Sequence, residues 1–311
     1  MPPTLDDMEL CQTLNPAQTA AALPYLTLAR EIEALLLDPS VQVPARLVQA
    51  LPGGASLFVM PAHDGAIAIT KLITFVADNP AHGRPAIHGE VVVFDVRTGR
   101  KLGSLDGPTV TARRTAAVSL LAAQRLGPER QGPLLIVGAG VQGRAHLEAF
   151  HEGLGIDQVW IASRSAASAQ MLAAHARSLG LQAKTIEDPN AALRECPWVV
   201  SCTPAQGVVL TAQPRPDAFV AAVGAFTPRM VEWAPEVCTT IARHGHIVVD
   251  TRDADHEAGD LLQAGIDVSS LPTLADAITR GSGHAGSGPV FFKSCGWAGW
   301  DLAAARCLTK A

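Results

Sequence analysis

The sequence carries no excess of basic charge, no long apolar run, no paired cysteines and no internal repeats, and each absence removes a class of function. Its 24 Lys and Arg against 29 Asp and Glu give a net charge of −5, which offers no electrostatic footing for nucleic acid or an anionic membrane surface. No apolar run approaches the roughly 20 residues of a membrane span. The opening "MPPTLDDMEL" is acidic and lacks the basic region and apolar core of a secretory signal. Cysteines stand singly at 11, 196, 202, 238, 295 and 307 with no CxxC pair, so the expectation is a reduced, cytoplasmic protein with small buried thiols. "RHGH" (243–246) and "DADHE" (253–257) gather side chains that bind metals, but they lack the separated elements that close a tetrahedral site, and no metal is expected.

What is present is apolar. Hydrophobic residues make up 48% of 311 and charged ones 17%, enough for a large core and long enough for two domains. Residues 17–37 place Leu23, Leu26, Ala29, Ile32 and Leu36 at helical spacing and predict one amphipathic helix. "SLFVMPA", "GAIAITKLITF" and "IHGEVVVFDVRTGRKLGSLDG" follow, punctuated by "HDG", "NPAHG" and "RTG", the cadence of antiparallel hairpins. From about 109 an alanine-rich helix, "TVTARRTAAVSLLAAQRL", gives way to alternating short apolar strands and helices. That alternation specifies a parallel sheet covered on both faces, a doubly wound domain over 113–288. The last segment, "GPVFFKSCGWAGWDLAAARCLTKA", reads as an amphipathic helix with an aromatic entry. It is expected to return to the N-terminal domain, which would comprise 1–112 and 289–311.

A dinucleotide site is legible within the second domain. In "LLIVGAGVQGRAHLEAF", Gly138, Gly140 and Gly143 fit GxGxxG between an apolar strand and a helix. The first permits a tight turn, the second lets backbone approach a pyrophosphate, and the third lets helix and strand pack closely. With Val141 and Gln142 they would present the helix N-terminus to the phosphates. The second strand, "QVWIAS", ends in Ser163, Arg164 and Ser165 rather than in the acid that grips a ribose 2′-hydroxyl. A guanidinium with two hydroxyls suits a 2′-phosphate, so NADP(H) is expected over NAD(H). Cys202 and Thr203, after the apolar strand "WVVS", are placed beside the cofactor.

The first domain holds cations in apolar surroundings. Arg46 follows "VQVP", Lys71 sits inside "AIAITKLITF", and Arg113, Arg114 and Thr115 lie in the opening of the alanine-rich helix. A lysine within a strand of Ile, Ala and Leu must snorkel or face a polar cavity. Arg46 and Lys71 together would suit a small carboxylate substrate.

These stretches, with "GEVVVFDVRTGRKLGSLDG", "TARRTAAVSLLAA" and "VFFKSCGWAGWDLAAA", resemble the ornithine cyclodeaminase/mu-crystallin family from about residue 40 to 305. The resemblance implies a homodimer with a Rossmann α/β domain inserted into an α+β domain that binds substrate and dimerises. It places Arg46 and Lys71 at the substrate's carboxylate and reacting nitrogen, and Arg114 and Thr115 near the substrate and the cofactor phosphates.

The departures from the family choose among its members. Cyclodeaminases carry an Asp in a motif like GGDxPGKxE, where this chain reads "VGAFTPRMVEW" with Phe226 at the Asp position. Phenylalanine exchanges no proton, and the resemblance narrows to ketimine reductases. Ala86 stands where a threonine is common in the family, followed closely by His88, a secondary candidate for the proton donor. The expected reaction is reduction of Δ1-pyrroline-2-carboxylate or Δ1-piperideine-2-carboxylate, cyclic imino acids, to L-proline or L-pipecolate. The alternatives are an alanine dehydrogenase or reductive aminase, an ornithine cyclodeaminase, or a cofactor-dependent binding protein without turnover.

Overall fold

A computed structural model describes residues 12–127, 131–204, 206–280 and 288–309; Cys11 lies outside them. The chain divides into two compact units, one from residues 1–114 with 297–311 and the other from 115–296.

The first unit is built on a six-stranded sheet: β1 (Gln12–Thr13), β2 (Leu47–Ala50), β3 (Ser56–His63), β4 (Ile67–Phe75), β5 (Ile87–Asp95) and β6 (Lys101–Asp106), in the order β1-β6-β5-β4-β3-β2. Strands β2 to β6 form an antiparallel meander. The "RTG" turn is tied by Asp95, whose carboxylate accepts from the Thr98 amide and hydroxyl at 2.6 Å each. Where one amphipathic helix was expected there are two, α1 (Pro16–Ala22) and α2 (Tyr25–Leu36). Pro24 lacks the N–H that a continuous helix needs, and it caps the second helix instead. The buried face of α2 is consequently Tyr25, Leu28, Ala29, Ile32 and Leu35, with Leu26 and Leu36 at its margins.

Helix α3 (Gly107–Leu126) carries the chain from the first unit into the second. There, β7 (Leu134–Val137), α4 (Val141–Leu154), β8 (Gln158–Ala162), α5 (Ala166–Ser178), β9 (Gln182–Thr185), α6 (Pro189–Ala192), β10 (Trp198–Ser201) and β12 (Phe219–Ala222) alternate as expected, with β11 (Gln206–Leu210) paired to β13 (Val231–Trp233) beside them. Helices α7 (Pro235–His244), α8 (Ala254–Glu257), α9 (Gly259–Gln263) and α10 (Leu274–Thr279) and strands β14 (His246–Val249) and β15 (Val290–Lys293) complete the unit. The seven-stranded sheet runs β14-β15-β12-β10-β7-β8-β9, every pairing parallel. Strand order reverses between β7 and β10, the switch point at which doubly wound sheets open a crevice beyond the strands' carboxyl ends.

The C-terminal segment departs from expectation. "VFFK" is a parallel strand between β12 and β14, not the entry to a helix, and α11 (Ala298–Thr309) begins only after it. All four residues are buried, the pattern of a strand covered on both faces. Asp250 secures its exit, accepting from the Ser294 hydroxyl at 2.9 Å and the Cys295 and Gly296 amides at 2.9 and 2.8 Å. The second unit therefore runs to 296 rather than 288. Helix α11 joins the first unit, packed on α2, β3 and β4 and buried from Ala298 to Cys307.

Candidate active site

Strand parity decides what Lys71 meets. Along β4 the odd positions Ile67, Ile69, Lys71 and Ile73 are buried on the face that α11 covers. Lys71 is 1% exposed, with Met60 of β3 and Val91 of β5 opposite it in register. A buried ammonium needs a counter-charge, and α11 supplies it. Asp301 Oδ2 lies 2.8 Å from Lys71 Nζ, and Asp301 Oδ1 lies 3.3 Å from Arg114 Nε. Asp301 is fully buried in the first turn of its helix, where the dipole favours a negative charge. Burial lowers the Lys71 pKa most; Asp301 opposes it, Arg114 and Arg46 reinforce it, and the value falls from 10.5 to about 8.

Asp301 was missed by sequence reasoning. The available signal was a single acid in an alanine-rich helix. Arg113, noted among the cations of the first domain, is structural: its Nε donates to the Leu23 carbonyl at 2.6 Å and its guanidinium stacks on the Tyr25 ring, 3.8 Å from the centroid. Arg46 is half-buried just before β2, near enough for its charge to act on Lys71.

His88 does not join this cluster. It is exposed on β5 opposite Thr74, an even position of β4, and so projects from the other face of the sheet. Side chains alternate with period two, and the odd step from Lys71 to Thr74 places the histidine on the opposite side.

The second unit's switch point fits a dinucleotide. Gly138 has φ +115°, and a Cβ there would lie 2.8 Å from the Cys202 carbonyl. A Cβ at Gly143 would run into the Gly138 carbonyl, whereas one at Gly140 meets nothing within 4 Å. The first and third glycines are thus demanded by packing, while the second leaves open space where backbone can approach a ligand. Gly140 caps α4 without any side-chain hydrogen bond to the helix's first amides, and Val141 and Gln142 follow in that first turn. Anions favour such a terminus. At the end of β8, Ser165 caps α5 by accepting from the Ser168 amide at 3.2 Å, Ser163 accepts from the Ser165 amide at 3.3 Å, and Arg164 is exposed.

Across the switch point, Cys202 is an inert thiol: its Sγ donates to the Gly138 carbonyl at 3.2 Å, and burial with Glu232 nearby pushes its pKa well up. Thr203 is held by Glu232, a second residue that the sequence reading passed over although it ends the "VGAFTPRMVE" stretch. The buried Glu232 carboxylate accepts from the Thr203 amide at 2.7 Å and hydroxyl at 2.9 Å, the Ser201 hydroxyl at 3.1 Å and the Gly224 amide at 2.8 Å. Burial raises its pKa and Lys293 opposes the rise. Asp260 braces the arrangement, accepting from the Glu232 and Trp233 amides at 2.6 and 3.0 Å and pairing with Lys293 at 2.7 Å. Phe226 is half-buried in the loop after β12.

Gly140→Val tests the glycine reading. Its φ of −88° and open surroundings accept a side chain, so the melting temperature should stay within a few degrees. Dinucleotide affinity, measured by quenching of tryptophan fluorescence, should fall at least tenfold; unchanged affinity would remove the phosphates from this turn.

The sequence pattern of the ornithine cyclodeaminase/mu-crystallin family matches residues 26–310. A Δ1-pyrroline-2-carboxylate reductase of Burkholderia multivorans is 38% identical over 95% of this chain and 94% of its own. A Δ1-pyrroline-2-carboxylate/Δ1-piperideine-2-carboxylate reductase of Azospirillum brasilense is 35% identical over 95% and 94%. Among solved structures, the Thermococcus litoralis Δ1-pyrroline-2-carboxylate reductase in complex with NADH and L-proline superposes with a TM-score of 0.83 at 22% identity, covering 96% of both chains. The chain belongs to the ornithine cyclodeaminase/mu-crystallin family.

Proposed function

We propose that this chain is an oxidoreductase that reduces a small cyclic imino acid, Δ1-pyrroline-2-carboxylate or Δ1-piperideine-2-carboxylate, to L-proline or L-pipecolate, with NADPH preferred over NADH. The observation that carries the reading is a buried cluster in which Lys71 and Arg114 share one carboxylate, with Arg46 nearby. Two cations, Lys71 and Arg114, against one anion, Asp301, leave positive charge for a second carboxylate, that of the substrate. Relatives over 30% identical along almost the whole chain, named as reductases of these imino acids, support it.

A reduced nicotinamide, when bound, supplies a hydride to the carbon of a protonated C=N bond. The glycine turn of residues 138–143 would hold its pyrophosphate, and Ser163, Arg164 and Ser165 its 2′-phosphate. Thr203, locked by Glu232, would line its far side. Arg46 and Arg114 would clamp the substrate carboxylate, because a guanidinium offers it paired donors in a fixed plane. Lys71, protonated below about pH 8, would hold a proton at the imine nitrogen and keep that carbon electrophilic. Phe226 brings no carboxylate to deprotonate an amino group, which sets this chain apart from deaminases.

A second copy of the chain is the proposed partner. The sheet face turned away from α11 exposes Leu47, Leu72 and Phe94, the first two beside Val59 in register. Apolar side chains grouped on one face favour a self-complementary interface, and light scattering should return twice the 32.5 kDa chain mass.

Three measurements test the reading. NADPH oxidation should proceed with either cyclic imine and not with pyruvate plus ammonium. Arg46→Met should raise the imine KM at least tenfold and leave NADPH affinity nearly unchanged; lost NADPH binding with an unaltered KM would displace Arg46 from the substrate. Arg164→Ala should weaken NADPH by roughly 10- to 150-fold, the equivalent of about 1.5–3 kcal/mol for charge-assisted bonds. NADH should change little, and equal losses for both would refute the 2′-phosphate assignment.

A further inference from the structure

We propose that Asp301 is a positioning residue of the reductase: its two carboxylate oxygens anchor Lys71 and Arg114 separately and hold them as charged groups, Arg114 ready for the substrate's carboxylate and Lys71 for its imine nitrogen. The proposal rests on the imine-reductase reading above.

The arrangement differs from that of three other buried carboxylates. Glu232, Asp260 and Asp250 are satisfied largely by amide and hydroxyl donors. Among the described residues, Asp301 accepts no amide or hydroxyl hydrogen bond on either oxygen, and the two cations balance it. A carboxylate placed only to stabilise a helix start would be expected to bond to that helix's own amides. This one is aimed away from them, at β4 and α3.

The helix bearing it is fixed by a second ionic contact. Arg306, also on α11, pairs through Nε with Asp64 at 2.6 Å and through its other nitrogens with Asp38 and Glu31. Asp64 is locked in the β3–β4 turn, accepting from the Ala66 and Ile67 amides at 2.7 and 2.8 Å. The hairpin that carries Lys71 therefore also grips α11, which fixes the helix's rotation and the direction of Asp301.

The charges around Lys71 are few. From α11 it faces Asp301, from α3 Arg114, and from the segment before β2 Arg46; its register neighbours on β3 and β5 are Met60 and Val91. Asp301 is the strongest influence that keeps the ammonium protonated, and both guanidiniums oppose it. Removing that one charge leaves Lys71 dry and facing two cations, so its proton should leave at lower pH.

The signs follow for two readouts. If the ammonium serves the imine nitrogen, kcat falls as pH rises through about 8 in the wild type, and in D301N this fall begins at lower pH. For stability, the unfolded chain binds the Lys71 proton up to its ordinary 10.5 and the folded chain only to about 8. Burial of the ammonium thus works against folding below pH 8, and the loss is relieved as pH rises from 8 toward 10.5. In D301N that relief starts earlier, so the variant's deficit against wild type is largest at low pH and shrinks at high pH.

The experiment compares wild type, D301N, D301E and D301N/K71M from pH 5.5 to 10, recording imine reduction and melting temperature. The alkaline fall in kcat should move down by at least one pH unit in D301N, about a tenfold loss at pH 9 relative to wild type. The melting-temperature deficit should be clearly larger at pH 6 than at pH 9.5, and this pH dependence should vanish in D301N/K71M. A fixed alkaline limb with a deficit equal at both pH values overturns the role of Asp301. If D301N does not fold, D301E carries the test: it keeps the charge, so the limb stays near 8 while kcat falls, and a limb that moves despite the retained charge contradicts the proposal. A wild type inactive on both imines, yet with a pH-dependent D301N deficit, defeats the reductase reading and leaves the Asp301–Lys71 coupling standing.

Discussion

A lysine ammonium sealed from water must be given an opposite charge, and this requirement at Lys71 organises the first unit. The charge comes from Asp301, more than two hundred residues away in sequence, so the end of the chain must return to the sheet on which it began. Helix α11 does so buried from Ala298 to Cys307, packed against α2, β3 and β4. Arg306 then sets its rotation by gripping the hairpin turn at Asp64. Breaking one member of such a buried set leaves an uncompensated charge, a loss of about 3–5 kcal/mol. The same set leaves unbalanced positive charge where the proposed substrate carries its carboxylate.

The second unit solves the problem of buried charge in the opposite way. Glu232 is surrounded by amide and hydroxyl donors that tie the loops after β10 and β12 together, and Asp260 with Lys293 fixes the backbone of Glu232 itself. His146 follows the same logic: burial depresses its pKa to about 4, and its ring nitrogens meet the Gln142 carbonyl and the Ser119 hydroxyl. These groups are saturated and rigid, which suits a platform that must present helix amides and loop atoms to a dinucleotide without rearrangement. Asp301, by contrast, has Lys71 and Arg114 as its partners among the described residues, one carboxylate against two cations.

Local pattern made much of this legible. The turn at 138–143, the absence of an acid after β8 and a lysine in an apolar strand are each written in neighbouring residues, where steric and electrostatic rules act directly. The alternation of strands and helices was equally plain. The features that escaped depend on distance or register. "VFFK" is too short to be told from a helix entry by periodicity, and only its place between β12 and β14 makes it a strand. Asp301 is unremarkable in "GWDLAAA" until the sheet is set beneath it. His88 sits close in sequence to the substrate-side cations, but pairing with Thr74 puts it on the far face. Pro24 was a legible break that the apolar spacing of residues 17–37 concealed.

The central claim is that the chain reduces a cyclic imino acid by hydride from a nicotinamide dinucleotide. Transfer of isotope tests this most directly. NADPH deuterated at the reactive face of nicotinamide C4 would be incubated with Δ1-pyrroline-2-carboxylate and the proline analysed by mass spectrometry. The account predicts one deuterium at C2 from the face the enzyme uses, L-configured product throughout, and no label when deuterium is supplied by the solvent at that carbon. Proline labelled at C2 from solvent, or NADPH consumed without label reaching proline, would contradict it.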